Sequence, residues 1–406
     1  MTLGTMAVDH EVRVDFERLR RERLARAREQ VERHGLGALL CFDMDNIRYI
    51  TSTHIGEWAR DKMSRYCVLP RGAEPVLFEV GSAAKVRDLR CPWLKGRVRT
   101  ATAWVRGTVP PEARALELFM KGLREVLGDH GVLEEPLGVD ILDVPLLQAL
   151  QKEGIKIADG QDAMLDARMI KGEDEIALIE VSTSMVDAVY DQIVQAIRPG
   201  VRESDLVALA HEFLFSQGAD FVEAMNVVSG PRTNPHPHDF SDRVIRPGDL
   251  VYIDILNMYN GYRTCYYRTF MCGEPTAEQR AIYKRAYDWL YAAIEAVRPG
   301  ATTADVASRW PTAKELGFRD EQEAMLLQYG HGIGLSHRER PLMSRAFSFE
   351  KPIPLEENMV LALETYAGAA DGSFGARIEE EIVVTADGCR VMTKFPCKEL
   401  IGCGLG

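Results

Sequence analysis

Asp254 and Cys265 bracket the stretch Asp254-Ile-Leu-Asn-Met-Tyr-Asn-Gly261-Tyr262-Arg263-Thr264-Cys265. An apolar run, Leu250-Val251-Tyr252-Ile253, leads into the aspartate, and Asn260-Gly261 turns the chain into a second β-type run. This is the pattern of a β-hairpin. On neighbouring strands the carboxylate and the thiol can point at one spot, and carboxylates gathered in this way build sites for hard cations. Three more groups of the right chemistry follow. His331 is hugged by glycines in Tyr329-Gly330-His331-Gly332-Ile333-Gly334. Glu364 ends the apolar run that starts at Met359, and Glu379 opens the run Glu379-Glu380-Glu381-Ile382-Val383-Val384. A buried strand that carries a carboxylate must pair it with a cation, a metal or a donor. Taken singly, Asp254 caps a turn and the glutamates sit on solvated faces. Taken together, in order and each beside an apolar strand, they are expected to meet in one pocket.

This ordered set resembles the creatinase/aminopeptidase P/methionine aminopeptidase family, the "pita-bread" proteins. The segments Ser229-Gly230-Pro231-Arg232-Thr233-Asn234-Pro235 and Pro247-Gly248-Asp249 fit it too, so the resemblance covers roughly residues 170–400. It implies an α/β (α+β) chain, with a creatinase/prolidase-like domain over residues 1–165 and a pseudo-two-fold catalytic domain over 166–406. It also implies that metal-dependent members hold two ions with five ligands, here Asp254, Cys265, His331, Glu364 and Glu379, of which Cys265 replaces an aspartate.

The departures bear on chemistry. The replaced aspartate is the one that bridges two metals in the family. A thiolate suits Zn²⁺ or Fe²⁺ and suits Mn²⁺ or Mg²⁺ poorly. Arg338 stands where the peptidases carry a second histidine before Glu-x-Pro, with His337 one residue early. Pro237 stands where another histidine is expected, flanked by His236 and His238. Creatinase and ectoine hydrolase-like relatives show similar erosion. A lyase that cleaves dimethylsulfoniopropionate is similar to this chain through its Ser-Gly-Pro-Arg-Thr-Asn-Pro segment. The family alone therefore does not give the reaction.

The elements that must position these groups are legible. Residues 1–15 look loose. A charged helix runs from Phe16 to His34, stopped by Gly35-Leu36-Gly37, and a buried strand covers residues 38–42. Helices and strands then alternate to about Ala158, without a phosphate-cradling glycine loop. A long helix from Glu173 to Arg198 follows, broken by Pro199-Gly200. Gln195-Ala-Ile-Arg-Pro-Gly200 with Asp205-Leu206 is echoed by Glu295-Ala-Val-Arg-Pro-Gly300 with Asp305-Val306. Two similar halves would face each other across a central cleft.

Composition bounds the rest. The 406 residues suffice for two cores, with 46% hydrophobic and 27% charged residues and a net charge of −12. No basic patch points to nucleic acid. No stretch has membrane-span length and no signal-peptide core opens the chain. The eight scattered cysteines read as reduced thiols of a cytoplasmic protein.

The expected activity is hydrolysis of an amide-type C–N bond in a small, carboxylate-bearing, non-peptide compound, by a homodimer. His331, Glu364, Glu379 and one of His236 and His238 are the catalytic candidates. Arg338, Arg263 and His337 are the substrate-binding ones, and Arg377 is read as charge balance for Glu379. The metal set is Asp254, His331, Glu364 and Glu379, with Cys265 as an optional fifth ligand, for one divalent ion (Zn, Fe or Mn) or none. Cys265 reads first as inert filler, then as a thiolate ligand, with a nucleophile as the third reading. The alternatives are a Xaa-Pro dipeptidase with two divalent metals, a dimethylsulfoniopropionate-type lyase and a silent binding protein.

Overall fold

A computed structural model describes residues 14–60, 62–102 and 107–404. The expectation of a loose start falls almost wholly outside them. The chain divides into two compact units, one of them Asp15–Arg168 and the other beginning at Met169.

In the first unit, Asp15 caps α1 (Phe16–Arg33) by accepting from the backbone of Glu17 and Arg18 at 2.9 and 3.0 Å. The chain continues through β1 (Ala38–Cys41), α2 (Met44–Thr51), β2 (Tyr66–Pro70), β3 (Val76–Val80), α3 (Ala83–Arg90) and β4 (Val98–Ala101). It then forms α4 (Ala115–Asp129), β5 (Leu137–Val139), α5 (Val144–Lys152), β6 (Ile157–Asp159) and α6 (Gly160–Met169). The six strands make one mixed sheet in the order β4-β3-β2-β1-β5-β6. An aromatic knot of Phe42, Tyr66, Phe78 and Phe119 fills its core, with Tyr66 stacked on Phe78 at 4.5 Å.

The second unit is built from an internal echo. α7 (Glu173–Ala196) and α8 (Glu203–Ser216) precede β7 (Phe221–Ser229), β8 (Leu250–Tyr259) and β9 (Tyr262–Cys272). α9 (Ala277–Glu295) and α10 (Thr303–Ala307) precede β10 (Tyr329–Gly332), β11 (Glu339–Met343), β12 (Val360–Gly368), β13 (Gly375–Val384) and β14 (Cys389–Val391). β15 (Ile401–Cys403) returns to lie parallel to β9. The sheets read β15-β9-β8-β7 and β11-β10-β12-β13-β14.

The two halves share backbone hydrogen bonds position for position. Gly200 donates to Ile245 and Ile245 to Val201, at 3.0 and 2.8 Å; Gly300 donates to Leu355 and Leu355 to Ala301, at 3.0 and 2.7 Å. Each half then turns through a left-handed residue, Gly248 (φ 92°) or Asn358 (φ 68°), into its central strand. Six residues beyond those turns stand Asp254 and Glu364. The two acids are equivalents of each other, one from each half.

Asn260 and Gly261 both have positive φ (47° and 87°), the geometry of a two-residue hairpin turn between β8 and β9. All residues of β8, β9 and β13 are buried. Buried polar groups in such strands must find partners. Arg268 does so on one face of β13, donating to Glu380 at 2.8 Å and to the Phe395 carbonyl.

Candidate active site

Strand register brings the acidic groups together. Glu364 on β12 is paired directly with Glu379 on β13. Asp254 on β8 is paired with Asn226 on one side and Tyr267 on the other. Cys265 pairs with Leu256, so it sits diagonally from Asp254, with Sγ 3.5 Å from Asp254 Oδ1 and 3.8 Å from Glu379 Oε2. His331, on β10, lies beside Glu364 through the β10–β12 ladder. All of these side chains are buried.

The electrostatics follow from crowding three carboxylates out of water. Burial, then Glu364, pushes the Asp254 carboxyl up to about 7. Burial, then Glu364 and Asp254, holds Glu379 well above the usual carboxylate range. Burial, then Asp254, raises the Cys265 thiol well above its ordinary value. Arg377 donates to Glu364, and its guanidinium lies 4.7 Å over the Tyr267 ring. Its charge also works against the rise at Glu379, so it faces both glutamates while hydrogen-bonding to Glu364. Arg377 and Glu379 share one face of β13, and the long guanidinium reaches diagonally across the ladder to Glu364 as well.

Asn226 Nδ2 donates to Asp254 Oδ2 at 2.9 Å, while Glu379 Oε1 is buried with no hydrogen-bond partner. His331 Nδ1 lies 2.9 Å from the Gly332 carbonyl, and burial lowers the pKa of its ring. Ligand atoms form three overlapping triplets, each within 4.8 Å: Asp254–Cys265–Glu379, His331–Glu364–Glu379 and Cys265–His331–His337. Acidic oxygens, an imidazole and an orphaned carboxylate oxygen fit a divalent cation.

Beside them opens a cavity of ≈ 430 Å³, whose walls include Glu223, His238, His337 and Arg338 as well as Asp254, Cys265, His331 and Glu364. Arg338 is exposed at its rim, 5.7 Å over the Tyr329 ring, and among the described residues no carboxylate pairs with it. Its loop is tied down by Glu339, which accepts from Lys171 at 2.8 Å and from Ser336 at 3.0 Å. His238 lines the cavity, and burial followed by Arg377 lowers its pKa. His236 packs behind it against Tyr252, ring centroids 5.4 Å apart. Arg263 is not among the lining residues; fully buried, it pairs with Glu223, which is. A buried guanidinium needs such a partner. A larger groove of ≈ 910 Å³ between α4 and α5 is lined by aliphatic and charged side chains, without an imidazole or thiol.

Asn226, Tyr267 and Glu223 are site residues the sequence reading did not single out. The hairpin turn carries the signal for Tyr267. Counting outward from Asn260-Gly261 sets it opposite Asp254.

Fold and site together define a class. The chain belongs to metallopeptidase family M24, whose family model matches residues 177–386, and its mixed α/β architecture is the pita-bread fold. Among individual relatives, dimethylsulfoniopropionate lyase DddP of Roseovarius nubinhibens is 26% identical over 398 residues, covering 94% of this chain and 87% of that protein. Probable dipeptidase PepE of Mycobacterium tuberculosis is 32% identical over 256 residues, covering 62% of this chain and 65% of its own length. The solved dipeptidase PepE from Mycobacterium ulcerans superposes with a TM-score of 0.75 at 24% identity, over 96% of this chain and 99% of that one. Recombinant prolidase from Thermococcus sibiricus gives 0.76 at 22%, with the same coverage. No helix among the described residues is long and apolar enough to cross a membrane.

Proposed function

We propose that this protein hydrolyses an amide-type C–N bond in a small compound bearing a carboxylate, using one divalent metal or none. The observation that carries the reading is the pairing of an acid cluster with an uncompensated arginine across one cavity. Asp254, Glu364 and His331 line its base with Glu379 beside them, and Arg338 stands at its rim. A guanidinium there suits a substrate carboxylate. A divalent ion, held by Asp254, His331, Glu364 and Glu379 with or without Cys265, would lower the pKa of a bound water or polarise the carbonyl.

The residues of this chain do the rest. Arg338 holds the substrate anion, so that the scissile carbonyl lies over the acid cluster. Glu379, ionised where a divalent ion would be held beside it, accepts a proton from the attacking water, and Glu364, fixed by Arg377, keeps its orientation. His238 relays the proton taken up by Glu379 to the leaving nitrogen, a role assigned to it over His236 because it faces the cavity. The water oxygen bonds to the carbonyl carbon, the C–N bond breaks, and acid and amine leave. The reading includes a cytoplasmic homodimer, which sedimentation of the purified protein checks.

A lyase reading is favoured by one observation, the likeness to DddP along 94% of the chain. Product analysis in ¹⁸O-labelled water separates the two. Hydrolysis places one labelled oxygen in the acid product; elimination yields an alkene without label. A panel of N-acyl and ureido acids, assayed with the unaltered protein and with Glu364→Gln, tests both readings. Unlabelled alkene would replace the hydrolase reading by the lyase. Turnover untouched in Glu364→Gln would remove the whole site from the reaction. A Xaa-Pro dipeptidase would instead gain activity with Mn²⁺ in Cys265→Asp.

A further inference from the structure

We propose that Cys265, His331 and His337 form a three-ligand centre for a zinc-type divalent ion, with the fourth position open to the cavity. The inference refines the hydrolase reading by naming the ion and replacing the carboxylate ligands with Cys265 and His337 beside His331, and it rests on that reading only for the use to which the ion is put.

Three segments supply the ligands: β9, β10 and the loop that leads into β11. The thiol sulfur and one nitrogen from each ring lie within 4.8 Å of one another. Tetrahedral zinc with ordinary Zn–S and Zn–N bonds places its ligand atoms about 3.3–3.6 Å apart, so the set need only tighten. All three side chains line the cavity, whereas Glu379, which both other triplets require, does not. Three protein ligands with an open fourth position is the arrangement of catalytic rather than structural zinc.

His331 is prepared for this role. Its Nδ1 faces the Gly332 carbonyl at 2.9 Å, which puts the ring proton there and leaves the Nε2 lone pair for a ligand. The His331 and His337 rings stand at 84° with centroids 5.2 Å apart. The loop that carries His337 is held by the buried Lys171–Glu339 ion pair at 2.8 Å and by Glu339 accepting from Ser336. One thiolate and two imidazoles suit zinc, cobalt or ferrous iron and discriminate against Mn²⁺, which the carboxylate triplets would take. Binding the ion releases the thiol proton, so affinity rises with pH.

The test reads binding without substrate, so a failed site and a failed assay are told apart. The full chain, stripped with a chelator, is titrated with Co²⁺ and followed by absorption. The expected result is a near-ultraviolet thiolate-to-cobalt charge-transfer band with d–d bands of tetrahedral intensity, both displaced by stoichiometric Zn²⁺ and not by Mn²⁺. Cys265→Ser should lose the charge-transfer band, and His337→Gln should weaken Co²⁺ binding about tenfold or more. Should Cys265→Ser not fold, the unaltered protein's spectrum and His337→Gln, whose native side chain is only half-buried, still decide. Cobalt bound without the band, no cobalt bound at all, or unchanged affinity in His337→Gln would each overturn the proposal.

Discussion

Glu364 and Glu379 face each other directly across the β12–β13 ladder, and the Arg377 guanidinium donates to Glu364 rather than to Glu379. Like charges placed opposite on a sheet repel. Glu379 is left with a buried oxygen that lacks a partner. Glu379→Gln removes the repulsion and keeps the shape. Chelator-treated Glu379→Gln protein at pH 8 is expected to be more stable by about 1 kcal/mol, or about 2–4 °C in Tm. Its kcat should fall by about 100-fold or more. Calorimetry and steady-state kinetics on the same preparation check both, and an undiminished kcat would take Glu379 out of the reaction.

The raised pKa of Asp254, about 7 against an ordinary 3.8, makes the stripped protein pH-sensitive in an unusual direction. A carboxyl whose folded pKa lies above its unfolded value is held in its protonated form by the fold. Its contribution is complete below about pH 4 and is lost as pH rises through 7. Metal-free protein should therefore melt at lower temperature at pH 8 than at pH 6. A bound divalent ion prefers ionised carboxylates and should flatten or reverse that slope. Thermal scans between those pH values, with and without metal, test the sign. A chelated protein that grows more stable towards pH 8 would contradict it.

Arg338 touches the cavity from an exposed position, so its removal should cost little stability. Arg338→Ala is expected to raise KM for a carboxylate-bearing substrate by about 10- to 100-fold, the worth of a charge-assisted hydrogen bond, with kcat changed far less. Arg338→Lys should recover part of the loss, because charge is kept and the planar fork is not. A KM that is the same for the amide-capped and free-acid forms of one substrate would refute the assignment.

Gly332 lies where β10 meets β11, and a Cβ there would overlap the carbonyl of Arg340. Backbone cannot step aside as a flexible side chain can. Gly332→Ala should destabilise the second unit by about 1–3 kcal/mol. It should also displace the loop that carries His337 and Arg338, so substrate affinity falls along with Tm. Denaturant unfolding combined with KM measures the two effects together.

Much of this was readable from residue order. Asn260-Gly261 announced the hairpin, and the repeated Arg-Pro-Gly with its following acid announced two matching halves. Apolar runs ending in acid marked the strands that carry Asp254 and Glu364. What escaped were contacts set by register between segments far apart in the chain. Asn226 belongs to β7, and nothing local shows that it will lie opposite Asp254. Arg377 acts on Glu379 through its charge, but its hydrogen bond across the ladder to Glu364 has no signal in the local sequence. Arg263 carries the charge expected of a substrate clamp, but its burial turns it onto Glu223. Sequence distance ranks neighbours poorly once strands pair.

The run Glu379-Glu380-Glu381 serves two compartments by turns. Its first and third members look towards the acid cluster and the Cys265 amide, and its second towards Arg268 and the Cys397 thiol, 2.9 Å away. Identical side chains in a row hide any sliding of the strand from composition and from hydropathy alike. A one-step slip would still bury three glutamates, yet it would turn Glu380 towards the site and Glu379 towards Arg268. What marks the alignment is the set of partners behind the sheet, Arg268, Tyr291, Thr393 and Cys397 on Glu380, so residues remote from any substrate keep guard over the chemistry in front.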